Sequence, residues 1–116
     1  MAQSFSKEER LLKRPEFLRL AASGNKLHTA HFIIVWDATD GASLRLGITV
    51  SRKVGNAVVR NSIKRKVREN FRLHKENFFS ADFNLIAKKG AEKLDFIAVW
   101  RELYSALLQI KTRIKC

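Results

Sequence analysis

Between Ser51 and Lys75 the chain reads SRKVGNAVVRNSIKRKVRENFRLHK, and the chemistry these residues can do is the binding of phosphate. Nine of the chain's 23 lysines and arginines lie in this stretch, against one of its 11 acids, Glu69. A guanidinium offers forked donors that match phosphate oxygens, and an ammonium offers a compact charge. The spacing matters as much as the composition. Val59, Ile63, Val67 and Phe71 recur every fourth residue and would share one side of a helix. Arg60, Lys64 and Arg68 form a neighbouring row, and Asn61, Arg65 and Arg72 widen it away from the apolar side. Such a helix buries one stripe and holds out a cationic wall beside it.

Other chemistries are poorly represented. His28, His31 and His74 show no ligand spacing and no HExxH frame, and Asp37 with Asp40 is better explained by a turn than by a carboxylate pair. There is no P-loop, no GxSxG and no glycine-rich dinucleotide motif. Cys116 is the one cysteine and stands last, so neither a disulfide framework nor a thiolate metal site can form within one chain. No catalytic residue and no metal site are expected. The chain reads as a binder.

The elements that position the basic row can be placed from the same residues. With 116 residues, 46% of them hydrophobic, the chain is expected to be one domain over 1–116. A pI near 10.5 calls for a polyanionic partner, nucleic acid before an anionic membrane surface. No apolar run approaches the roughly 18 residues that span a bilayer, and the N-terminus lacks a signal-peptide core. A cytoplasmic address and no membrane partner are the expectation.

Residues 1 to about 13 read as a loosely ordered basic arm, and Pro15 suits the first turn of a short helix carrying Phe17, Leu18 and Ala21. Ser23-Gly24-Asn25 would end that helix. His31–Asp37 has the β-branched and aromatic make-up of a strand buried on much of both faces, Thr39-Asp40-Gly41 is a turn signal, and Leu44–Val50 alternates with period two. These two strands are expected to pair as a hairpin. Gly47 would let a flat partner come close, or else mark a bulge. Gly55-Asn56 supplies a flexible residue and an N-cap for the basic helix, though the pair would serve equally as a plain connector. Phe83–Ala87 reads as another strand, Lys88-Lys89-Gly90-Ala91 as a basic turn, and Asp95 as the N-cap of a last helix packed through Phe96, Trp100, Leu103, Leu107 and Ile110. The fold class is α+β: a small two-layer sandwich with a sheet of three to four strands, the basic helix crossing between two of them.

With its flanks, the stretch VSRKVGNAVVRNSIKRKVRENF resembles the signature of the bacterial ribonuclease P protein component. The likeness rests on Ser51, Lys53, Gly55-Asn56-Ala57-Val58, Arg60-Asn61, Ile63-Lys64-Arg65 and Arg68, and extends more weakly over nearly the whole chain. The resemblance implies a left-handed crossover at the basic helix, and a ribonucleoprotein in which the RNA subunit and its Mg2+ ions carry catalysis. It implies two partners and no DNA. Ribonuclease P RNA would meet Arg60, Asn61, Lys64, Arg65, Arg68 and Arg72; the single-stranded 5′ leader of precursor tRNA would meet Phe17, Arg52, Lys53, Lys88 and Lys89, together with the open strand faces. The protein would assist the endonucleolytic removal of that leader.

Three departures accompany the likeness. The family's Arg-Asn-Arg triplet reads Arg60-Asn61-Ser62, a second cleft aromatic is replaced by Ala21, and Lys88 stands where the family usually has arginine. From the residues themselves, two other classes remain open. A ribosomal or RNA-assembly protein would share the charge and the build. A helix-turn-helix DNA binder would need a helix before Ala57, where Leu44–Val50 alternates like a strand. From spacing alone, Phe17 reads as an ordinary core residue, and its place in a cleft is what the resemblance implies.

Overall fold

The computed structural model describes residues 9–11, 13–38 and 43–115. The first eight residues of the expected arm, Leu12, the Thr39-Asp40-Gly41 turn and Cys116 lie outside them. Helix α1 (Arg14–Ser23) carries Pro15 in its first turn, and the Glu16 side chain accepts a hydrogen bond from the Lys13 backbone N–H at 3.2 Å. Strands β1 (Asn25–His28), β2 (Phe32–Ala38) and β3 (Arg45–Thr49) follow. The basic stretch folds as α2 (Ala57–Leu73), capped by the Asn56 side chain, which accepts from the Val59 N–H at 3.0 Å. Strand β4 (Ala81–Ala87) leads through Gly90, which adopts a left-handed φ of 105°, to α3 (Phe96–Lys115). Asp95 opens α3 by accepting from the Ala98 N–H at 2.8 Å.

The sheet order is β1-β2-β4-β3. The expected hairpin between the second and third strands is therefore wrong. β4 lies between them, antiparallel to β2 and parallel to β3, while β2 makes its hairpin with β1 instead. Two features of the strands account for this. β1 is four residues long with a single buried side chain, Leu27, too little for an apolar pattern to show. β4 carries seven residues buried on nearly every position, the mark of a central strand.

Alternation sends Phe32, Ile34, Trp36, Leu46, Phe83 and Leu85 to one face, where Ile63, Val67 and Phe71 of α2 and Val99, Leu103, Leu107 and Ile110 of α3 complete the main core. Phe96 and Trp100 are half-buried, so the buried stripe of α3 runs through Val99 and Ala106 rather than Phe96. α1 lies on the other face, where Leu20 packs with Leu11, Ile33, Val35 and Ile86. The described end of the arm is seated, not loose. The Leu11 N–H bonds the Leu46 carbonyl at 2.9 Å on the open edge of β3, and Glu9 pairs with Lys75 at 2.8 Å. Pairing to an edge strand satisfies groups that sequence reading leaves to solvent.

Candidate nucleic-acid interface

The crossover from β3 to β4 lays α2 along the rim of the sheet, and the helix period then sorts its cations. Lys66 turns inward and donates to the Leu94 carbonyl at 2.8 Å, tying α2 to the start of α3. Asn61 and Arg65 are exposed, Arg60 and Lys64 half-buried, and the Arg60 Nε is enclosed with no protein acceptor. Arg72 is held by Glu69, Nη2 to Oε1 at 2.6 Å, and its guanidinium keeps that carboxyl below its ordinary range. Arg68 is exposed and projects toward α1.

Between α1, the edge of β3 and α2 runs a cleft of about 130 Å³ lined by Arg10, Leu11, Phe17, Leu46, Gly47, Ile48 and Arg68. Phe17 is half-buried, and its ring lies against Gly47: a Cβ there would stand 2.5 Å from the ring's Cε1 and 3.2 Å from the Leu11 Cβ. The close approach of a flat group at Gly47 is thus made by the protein's own phenylalanine. No bulge is needed to explain the glycine.

Beneath α1 the same face of the sheet carries a polar network. Asp82, 1% exposed, accepts from Arg45 through Nε at 2.9 Å and Nη2 at 2.8 Å, and from Arg19 through Nη2 at 2.6 Å. Arg45 also donates through Nη1 to Glu16, and Thr49 donates to Asn84 at 3.0 Å. Burial would raise the Asp82 carboxyl, but hydrogen bonds from Arg45 and then Arg19 outweigh it and hold the group below its ordinary value.

The remaining predicted residues do not line the cleft. Arg52 and Lys53 are exposed on the turn after β3, closed by the Val54 N–H to the Ser51 carbonyl at 3.1 Å. Lys88 follows β4, and its ammonium donates to the Thr29 carbonyl at 2.6 Å, while Lys89 is exposed. Because β3 and β4 are parallel, both pairs emerge at the same end of the sheet. Ala21 is exposed on α1 and supplies no ring. Among residues the sequence reading missed, Arg10 and Leu11 gave no signal, being set in a polar arm. Asp82 and Arg45 gave a faint one: a lone acid opening a buried strand, and a cation inside an alternating one. Among the described residues, no group of three His, Cys, Asp or Glu side chains could hold a metal ion, and no helix is long and apolar enough to cross a membrane.

A family profile described as Ribonuclease P matches residues 5–111. The ribonuclease P protein component of Geotalea uraniireducens (strain Rf4) is 55% identical over 104 residues, 90% of this chain and 92% of that one. That of Citrifermentans bemidjiense is 49% identical over 112 residues, covering 97% of each. Among solved structures, the RNase P protein of Staphylococcus aureus superposes with a TM-score of 0.80 at 34% identity, over 90% of this chain and 96% of that one. The RNase P protein of Thermotoga maritima does so with a TM-score of 0.78 at 35% identity, over 85% and 94%.

Proposed function

The chain belongs to the ribonuclease P protein family, as the protein subunit of a ribonucleoprotein endoribonuclease that processes tRNA, and from that premise we propose a division of labour between its two faces. The cationic side of α2, Arg60, Asn61, Lys64, Arg65 and Arg72, holds the backbone of the catalytic RNA. The cleft beneath Phe17 takes the single-stranded 5′ leader of precursor tRNA. Arg68 stands where the two surfaces meet and serves both. Arg52, Lys53, Lys88 and Lys89 extend the leader's path along the end of the sheet.

The observation that carries this reading is the half-exposed Phe17 ring, seated on Gly47 in a cleft walled by Arg68. A half-buried ring whose Cε1–Cζ edge meets Gly47 can offer a face to a base. Such stacking is indifferent to sequence and worth roughly 1–3 kcal/mol per base, which suits leaders that differ among tRNAs. The neighbouring arginine meets the phosphates between bases, whatever those bases are. Catalysis, with its Mg2+ ions, we assign to the RNA subunit and its substrate, as membership of the family implies.

Reconstitution tests this. At low magnesium, catalytic RNA plus this protein should cut precursor tRNA at the mature 5′ end well above the rate of the RNA alone. A protein that binds RNA without raising that rate would be an assembly factor instead.

A further inference from the structure

The leader cleft depends on how α1 is held, and α1 meets the sheet through little apolar surface. Leu20 is its only buried side chain among those described. What else grips it is Asp82. Through Arg45 and Arg19 this carboxylate is joined to Glu16 on one side of Phe17 and to Arg19 on the other. Arg45 pairs with Asp82 across the strands, and Gly47 pairs with Asn84 on the same face. The clamp therefore stands about 7 Å along the strand from the place where the Phe17 ring lands.

A buried carboxylate is an expensive fastener, and a leucine in its place would often hold a helix equally well. What apolar contact lacks is direction. Two planar guanidinium groups bound at set angles fix the roll of α1 about its axis, and with it the height of the ring over Gly47.

We propose that Asp82 is a positioning residue of the leader cleft, setting Phe17 through Arg19 and Arg45. This rests on the reading of the cleft given above. Asp82→Asn keeps the shape and loses the charge; Asp82→Leu restores apolar packing without direction. Each is assembled with the catalytic RNA, and its affinity is measured for precursor tRNA and for the same tRNA lacking a leader, below the thermal transition of the variant. Both should bind the leadered substrate roughly ten-fold more weakly, in the range of directly coupled neighbours. Affinity for leaderless tRNA should not change. Should Asp82→Asn prove too unstable to assemble, Asp82→Leu carries the measurement.

A folded variant that keeps the parent's leader preference overturns the proposal, and so does an equal loss for both substrates, which would mark a merely structural role. The double variant with Phe17→Ala should lose no more leader preference than Phe17→Ala alone. Phe17→Ala also separates the two readings. If it abolishes leader preference while the Asp82 variants retain it, only the positioning role falls. If it leaves the preference intact, the leader cleft itself is wrong, and the positioning role with it.

Discussion

Phe17 carries the most weight of any single residue, and its half-buried state sets what its loss should do. Phe17→Ala removes one stacking surface, so binding of leadered precursor tRNA should weaken by about ten- to a hundred-fold at the upper end. Mature tRNA and the catalytic RNA should bind as before. A fully buried phenylalanine would instead cost about 3–5 kcal/mol of stability and depress every function together. Thermal unfolding measured beside the two affinities separates these outcomes. Gly47→Ala approaches the same ring from below. Its methyl would stand 2.5 Å from the Phe17 Cε1 and 2.7 Å from its Cζ, so the ring must lift. Overpacking of this kind costs about 1–3 kcal/mol, and here part of it should appear as weaker leader binding.

At the scale of the element, α2 joins the two surfaces through its period. Residues four apart share a side, so Arg68 reaches the cleft while Arg65 and Asn61 face outward. Arg65→Ala should therefore weaken assembly with the catalytic RNA and leave the preference for a leader intact. The slope of log affinity against log salt should become shallower by roughly one unit at most, as expected for one lost phosphate contact. Arg68→Ala should reduce leader preference as well. Titrations at several salt concentrations, with leadered and leaderless tRNA, check both; equal behaviour of the two variants would remove the distinction. Neither side chain belongs to the core, so unfolding should hardly move.

For the molecule as a whole, one buried carboxylate, Asp82, and one half-buried one, Glu102, shape the response to acid. In Asp82 burial raises the pKa, but hydrogen bonds from Arg45 and Arg19 prevail. In Glu102 burial again raises it, and bonds from Thr29 and His31 prevail. Both folded values lie below the ordinary 3.8 and 4.5, so the unfolded chain takes up these protons first. Their contribution is complete above the ordinary values and is lost as pH falls through the lower folded ones. Denaturant unfolding at about pH 6 and about pH 3 should show the loss, and Asp82→Leu should show less of it. A second expectation concerns the isolated protein. Freed of RNA, it should not cut precursor tRNA, because the sequence carries no nucleophile motif and, among the described residues, no group of three His, Cys, Asp or Glu side chains could hold a metal ion. Cleavage at the mature 5′ end by such a preparation would overturn the ribonucleoprotein reading.

What the sequence determined by itself is what depends on local spacing. The register of Val59, Ile63, Val67 and Phe71, the caps at Asn56 and Asp95, the helix opened by Pro15 and the alternation of Leu44–Val50 are all set by neighbours within a few residues, and all are present in the fold. The charge row of α2 follows from the same period. Tertiary structure decided the strand order, because a strand buried on nearly every position, such as Ala81–Ala87, fits any gap in a sheet and only the crossover seats it between β2 and β3. It also decided that Arg10 and Leu11 wall a cleft, since an edge strand offers its pairing groups to whatever segment passes. The clamp of Glu16, Arg19, Arg45 and Asp82 was hidden for a related reason. Its members lie up to 66 positions apart, and a charge shows itself as buried and paired only when the surfaces that enclose it have met.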